Sequence, residues 1–186
     1  MQANLREQSQ ASMTLSVDAQ CGEGVEPPAG YDIPAVARSV FGILVRLGYA
    51  DDFVVNAGAV AGAGAGAVAG VVKETELCIR LVDAAEGQAL NHEWRGKPAP
   101  TNVLSFGADI VAGEFAPLGD LVLCAPVVES EAVQQNKPLG DHYSHLLVHG
   151  LLHLLGYDHI VESEAQVMEA IEVAVLGELG IDNPYE

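Results

Sequence analysis

Residues 149–159 read HGLLHLLGYDH, a stretch that combines the pattern of a helix, a turn and three histidines. His149 and His153 are four residues apart, so on a helix they share one face, with about 5–6 Å between their Cβ atoms. Gly156 follows the helix, where a left-handed residue lets the chain reverse, and His159 can then return to that face. The spacing H-x-x-x-H-x-x-G-x-x-H is the ligand spacing of the metzincin proteases. It predicts one zinc ion bound by these three histidines on a metzincin-like helix and glycine turn.

The residue after the first histidine distinguishes this motif from that of the proteases. Metzincins place a Glu there as general base, whereas this chain has Gly150. Three neutral imidazoles leave the fourth position of a zinc ion open for a water, whose pKa the ion lowers to about 7. The pattern therefore indicates a metal-dependent hydrolase that does not need the Glu, and a metalloprotease is the alternative. Packing of core histidines would explain one such residue, but three at this spacing favour a metal site.

His145 lies one helical turn before the predicted ligands. It can orient a ligand, contact a substrate or pack the helix, and the sequence leaves these three roles open. We include it among the candidate substrate-binding residues.

The apolar spacing outward from this stretch predicts an α+β fold, with a small mixed β-sheet packed against several helices. Pro34 suits the first turn of the first helix, Asp83 can cap a second helix, and Asp141 is expected to cap the helix that carries the histidines. The predicted helices cover residues 32–47, 85–94, 126–135, 141–155 and 162–176, and the predicted strands cover 75–82, 102–106 and 120–124.

The chain length of 186 residues favours one domain. Residues 1–30 are polar and Pro/Gly-rich at their end, which predicts a mobile tail. A single catalytic domain is expected over 31–180, followed by a C-terminal tail at 181–186. Residues 57–70 contain only Ala, Gly and Val and are expected to form a low-complexity insertion, because their glycines and acidic flanks disfavour a membrane helix.

The charge of the chain restricts its partners. Eight Lys and Arg against 26 Asp and Glu give a formal net charge of −18, so unaided binding to nucleic acid is unexpected. Three widely spaced cysteines indicate neither a disulfide framework nor a thiolate zinc site. The first 20 residues lack the basic start and apolar core of a secretion signal, so a cytoplasmic protein without membrane attachment is expected.

Two cations in the middle of the chain are candidates for binding phosphate. Arg95 follows a predicted helix and precedes a Pro-rich turn, where its guanidinium can bind a phosphate through two hydrogen bonds. Lys97 is a weaker candidate beside it. From Pro138 to Glu186 there is no Lys or Arg, so the histidine helix lies in an anionic half of the chain. A surface ion pair explains Arg95 equally well from these residues alone.

Three blocks of this sequence resemble the YbeY endoribonucleases, also known as rRNA maturation factors. They are HGLLHLLGYDH at 149–159, TNVLSF at 101–106 with Arg95-Gly96 before it, and LGDLVLC at 118–124, in the family's order. Asn102 stands where the family usually has Asp, and Gly107 where Pro is common.

The resemblance implies a single zinc ion bound by His149, His153 and His159, with a cleft arginine at Arg95. It also implies single-strand-specific endoribonuclease activity, maturation of small-subunit (16S) rRNA, and a part in ribosome quality control. Arg95 and His149 are then the candidate catalytic residues, and Arg95, Lys97 and His145 are the candidate substrate contacts. Expected partners are single-stranded RNA and the small ribosomal subunit or ribosome-associated proteins. A non-catalytic, zinc-containing ribosome-assembly factor is a further alternative.

Overall fold

The computed structural model describes residues 13–50, 74–108 and 116–186. The Gly/Ala stretch at 57–70 and the first twelve residues of the predicted tail lie outside these ranges. The elements in chain order are β1 (Thr14–Cys21), α1 (Ile33–Arg46), β2 (Glu74–Val82), α2 (Ala84–Arg95), β3 (Val103–Gly107), β4 (Gly119–Cys124), α3 (Ala125–Gln134), α4 (Leu139–Leu154) and α5 (Glu162–Glu178).

One sheet organises the described residues. Its four strands are in the order β1-β2-β4-β3; β1, β2 and β4 run parallel, and β3 is antiparallel to β4. The sheet is therefore mixed, and with the surrounding helices it confirms the predicted α+β class. Among the described residues, no helix combines the length and the apolar character that crossing a membrane requires.

Of the two predicted helix caps, the one at Asp83 is confirmed, and Asp32 is a further cap that was not predicted. Asp32 accepts a hydrogen bond from the Ala35 amide at 2.9 Å, and Asp83 accepts one from the Glu86 amide at 2.8 Å. Asp141 is not a cap, because α4 begins two residues earlier, with Pro138 at the N-cap position. The Pro138 carbonyl accepts the first bond of the helix from His142, and Asp141 lies within the first turn.

Part of the range predicted as a mobile tail is instead an ordered strand. Thr14–Cys21 forms β1 and pairs in parallel with β2, from Thr14 opposite Glu74 to Cys21 opposite Leu81. Leu15, Val17, Ala19 and Cys21 alternate with polar residues, as in a half-buried strand, but only Leu15 is buried. The mobile-tail prediction followed the polar composition of residues 1–30 and missed this alternation. Backbone pairing with β2 compensates for the small apolar surface that β1 contributes.

Helix α4 packs directly on the sheet through a glycine. A Cβ atom at Gly150 would lie 2.7 Å from Leu121 Cδ2 on β4, closer than side chains normally approach. The Gly150 carbonyl also accepts a hydrogen bond from Ser105 Oγ on β3 at 3.3 Å. Position 150 therefore faces the sheet, so the residue that carries the general base in metzincins has no room for a side chain here.

We expect Gly150→Ala to lower the free energy of unfolding by about 1–3 kcal/mol, the usual cost of overpacking a filled core. Gly42 provides the matched control, because it also lies within a helix but a Cβ atom there meets nothing within 4 Å. Gly42→Ala is expected to raise the stability by up to about 1 kcal/mol, through helix propensity alone. Urea denaturation of both variants checks this, and equal effects of the two changes would contradict the packing of Gly150.

Candidate functional site

Three histidines converge at the C-terminal end of α4. The ring nitrogens available as ligands in His149, His153 and His159 all lie within 4.8 Å of one another. His149 and His153 are one turn apart on α4, with 4.7 Å between their ring centroids. The ring of His159 returns to within 5.3 Å of the first ring and 5.0 Å of the second. The geometry thus brings the three predicted metal residues together.

A glycine turn returns His159 to the helix. Gly156 has a φ of 95°, which side-chain-bearing residues rarely adopt, and the Tyr157 amide bonds back to the Leu152 carbonyl at 3.0 Å. Asp158 then accepts a hydrogen bond from the His159 amide at 2.8 Å. Its carboxylate therefore shapes the turn itself.

The hydrogen bonds of two rings fix which nitrogen is free. Glu172 Oε1 lies 2.8 Å from Nδ1 of His149, and the Tyr157 carbonyl lies 3.1 Å from Nδ1 of His153. Both partners are acceptors, so in the neutral rings each Nδ1 carries the proton and each Nε2 presents a lone pair. This is the tautomer that a metal ligand bound through Nε2 requires.

The two free nitrogens suit a shared metal ion. His149 Nε2 and His153 Nε2 are 3.2 Å apart, although neither has a proton left to donate to the other. Two nitrogens bound to one tetrahedral zinc ion at about 2.0–2.1 Å each lie about 3.3 Å apart. A cation between them relieves the repulsion of the facing lone pairs, so these residues can hold such an ion.

Burial and the neighbouring histidines favour the neutral form of His153. Burial, together with the neighbouring His149 and His159, lowers the pKa of His153 below its ordinary value. A neutral imidazole is the form that binds a metal, so little proton displacement is needed at His153 near pH 7.

A buried carboxylate on α5 is hydrogen-bonded to two histidines of α4. Glu172 is 1% exposed and contacts His149, His145 at 2.9 Å and the hydroxyl of Tyr185. Burial would raise the pKa of Glu172, but the hydrogen bonds from His145, His149 and Tyr185 outweigh it and lower the pKa to about 2. The carboxylate is therefore ionised at neutral pH and accepts all three bonds.

His145 is placed by this carboxylate. Its Nε2 is bonded to Glu172, and its Nδ1 is buried without a hydrogen-bond partner among the described residues. Of the three roles left open by the sequence, the geometry favours orientation of the ligand set over contact with substrate. Tyr185, within the predicted C-terminal tail, also lines a cavity of about 230 Å³ with His149 and His159.

The two predicted phosphate-binding cations lie apart from the histidines. Arg95 ends α2 and Lys97 follows it, both exposed and both without an ion-pair partner in the described part of the chain. Helix α2 covers the sheet face opposite α4, because Gly87 of α2 packs on Cys124 of β4 whereas Gly150 of α4 packs on Leu121. The structure therefore does not place Arg95 or Lys97 against the metal residues.

Glu172 and Tyr185 contact the site but were not predicted from the sequence. The sequence carried a signal for Glu172, which lies on the buried face of α5, four residues after Met168 and next to Ile171. A charged side chain buried at such a position needs a partner. No comparable signal marks Tyr185, which reaches Glu172 only because the chain folds back after α5.

Comparison with known proteins gives a consistent match. The family model described as Endoribonuclease YbeY matches residues 63–180. A curated endoribonuclease YbeY of Alteromonas mediterranea is 55% identical over 116 residues, which cover 62% of this chain and 73% of that protein. One of Stenotrophomonas maltophilia is 55% identical over 121 residues, covering 62% and 75%. A solution structure from Thermotoga maritima aligns at 21% identity with a TM-score of 0.42, over 89% of this chain and 92% of the other.

Proposed function

Because the chain belongs to the YbeY endoribonuclease family, we propose that it is a zinc-dependent, single-strand-specific endoribonuclease acting in 16S rRNA maturation and ribosome quality control. The observation that carries this proposal is the histidine triad, whose candidate ligand nitrogens lie within 4.8 Å of one another, with the Nε2 atoms of His149 and His153 3.2 Å apart. We expect the protein to act in the cytoplasm, with the small ribosomal subunit or ribosome-associated proteins as partners.

In this proposal His149, His153 and His159 bind one zinc ion. When bound, zinc supplies Lewis-acid chemistry, by lowering the pKa of water toward about 7 and polarising a phosphoryl oxygen. Glu172 keeps His149 in the required tautomer, and the Tyr157 carbonyl does the same for His153. We call His149 catalytic because its Nε2 would bind the metal ion while its Nδ1 donates a hydrogen bond to the buried carboxylate of Glu172.

Arg95 and Lys97 provide the phosphate contacts of the proposal. The guanidinium of Arg95 is free of ion pairs within the described ranges, so it is available to an RNA phosphate. Because it lies on the opposite side of the sheet from the histidines, we assign it substrate binding rather than the catalytic role that the resemblance implies. A chain of net charge −18 attracts RNA weakly through its phosphates alone. Affinity for the natural substrate is therefore expected to depend on the ribosome or a protein partner.

Two structural observations weigh against the alternatives. A metzincin-type protease needs a carboxylate at position 150, but this position packs on Leu121 of the sheet. An assembly factor with structural zinc needs a closed set of four ligands. The described residues supply three, since the nearby Asp158 accepts a hydrogen bond from the amide of His159.

The proposal is tested with zinc-loaded protein and three substrates: end-labelled single-stranded RNA, the same RNA in a duplex, and an unstructured polypeptide such as casein. We expect cleavage of the single strand, little cleavage of the duplex, intact casein, and loss of cleavage after chelation. Cleavage of casein would favour the protease, and intact RNA with stoichiometric zinc would favour the assembly factor.

A further inference from the structure

An exposed tryptophan lies in the last turn of helix α2. Trp94 is the single tryptophan of the chain and keeps 63% of its surface exposed. Its ring meets Phe106 of β3 edge to face, with 5.6 Å between the centroids and 70° between the planes. Phe106 in turn packs on a buried cluster that contains Leu104 and Val122. The indole is thus held in place by the fold while most of its surface remains open to solvent.

The charges beside Trp94 differ from those of the rest of the protein. Arg95 and Lys97 flank it without ion-pair partners among the described residues. Three of the four other described cations already bond within the chain: Arg46 to Glu178, Arg80 to Glu86, and Lys137 to the Pro184 carbonyl. Exposed carboxylates also lie close by, because Glu93 precedes Trp94 and Asp120 is opposite Phe106 in the sheet. Phosphates are therefore expected to bind beside Arg95 and Lys97 rather than beside these carboxylates.

The edge of the sheet connects Trp94 with the metal residues. Successive residues of a strand point to opposite faces. Ser105 of β3 contacts Gly150 of α4, next to His149, whereas Phe106 contacts Trp94 on the other face. In the described residues β3 pairs only with β4 and forms the edge of the sheet. A chain that crosses this edge can therefore contact Trp94 and the histidine site at once.

We propose that Trp94 is a base-stacking platform for single-stranded RNA, with Arg95 and Lys97 binding the adjacent phosphates. This inference rests on the proposed function and specifies how its substrate is held. Aromatic rings beside cations bind single strands without sequence preference, because every base offers a π-face. Bases in a duplex are stacked on one another and are unavailable to the ring, so the platform selects single strands.

The single tryptophan provides a direct readout of binding. Zinc-loaded protein is mixed with a 12-nucleotide adenosine RNA in a stopped-flow instrument, and Trp fluorescence is recorded before cleavage proceeds. We expect a saturable fluorescence change that weakens in 0.5 M salt and is much smaller for duplex RNA. The same titration with polyglutamate tests for an acidic protein partner, and a change with this peptide but not with RNA would overturn the proposal.

Variants of Trp94 distinguish RNA binding at the platform from the cleavage step. Trp94→Ala is expected to raise KM for single-stranded RNA about 5- to 150-fold, corresponding to about 1–3 kcal/mol per stacked base, with kcat nearly unchanged. Trp94→Phe keeps an aromatic face and is expected to restore most of the affinity, which loss of folding in the alanine variant would not explain. Val133→Ala removes another exposed apolar side chain, 81% exposed on α3, and should leave KM unchanged.

These experiments distinguish failure of the stacking platform from failure of the proposed endoribonuclease activity. Normal cleavage, with no fluorescence change and an unchanged KM in Trp94→Ala, would overturn the platform and leave the endoribonuclease in place. Failure of the wild-type protein to cleave any RNA would contradict the proposed function instead. In that case, a saturable change with single-stranded but not duplex RNA would still support Trp94 as a binding site.

Discussion

Replacing His153 by alanine is expected to weaken zinc binding by more than 100-fold and to reduce RNA cleavage to background. His153 is the central residue of the triad: its Nε2 lies 3.2 Å from that of His149, and its ring lies 5.0 Å from that of His159. Loss of a direct ligand should exceed the 10–100-fold effect typical of losing a residue that only orients one. Metal content after dialysis and chelator competition measure the affinity, and cleavage of labelled RNA measures the activity.

His92→Ala is the matched control for this variant. His92 is exposed on α2, on the opposite side of the sheet from α4, so the same chemical change there should leave both zinc content and cleavage unaltered. Identical purification of both variants excludes a contaminating nuclease. Retention of one tightly bound zinc by His153→Ala would show that the metal site lies elsewhere.

Glu172→Gln is expected to lower zinc affinity about 10- to 100-fold while the fold is retained. The carboxylate now accepts bonds from three donors, on His145, His149 and Tyr185. An amide has one acceptor oxygen, and its NH₂ group would face a donor, so the Nδ1 proton of His149 would no longer be fixed. Chelator competition measures the affinity, and the visible spectrum of the cobalt-substituted protein reports the changed ligand field.

Glu178→Gln provides the control on the same helix. Glu178 forms an exposed ion pair with Arg46 at 3.1 Å, and such pairs contribute little to stability. Its loss should leave the affinity and the cobalt spectrum unchanged. With a pKa of about 2, Glu172 stays charged throughout the neutral and mildly acidic range, so loss of metal on mild acidification should not reflect protonation of Glu172. Equal zinc affinity in Glu172→Gln and wild type would refute the orienting role.

The histidine triad was predictable because all of its determinants are local in sequence. A four-residue helical spacing places His149 and His153 on one face, and Gly156 supplies the turn that returns His159. The same holds for the cap at Asp83, whose side chain accepts a hydrogen bond from an amide three residues away.

Features that depend on distant partners escaped prediction. Strand β1 alternates polar and apolar residues but buries only Leu15, and its place in the sheet comes from pairing with β2, which begins 60 residues later at Glu74 opposite Thr14. Glu172 is 23 residues from His149 in sequence, and only the packing of α5 on α4 brings them into contact. The meaning of Gly150 also required the fold, because the sequence shows a missing Glu but not the neighbouring Leu121.

The contact between Glu172 and His149 has a thermodynamic consequence. The site joins three separate parts of the chain: helix α4, the turn that carries His159, and helix α5 with the segment that follows it. A ligand that binds only the folded arrangement stabilises it by mass action, by about 4 kcal/mol at a free concentration 1,000 times its Kd. Metal occupancy would then govern how often α5 separates from α4, and metal supply would set the lifetime of the folded protein as well as its activity.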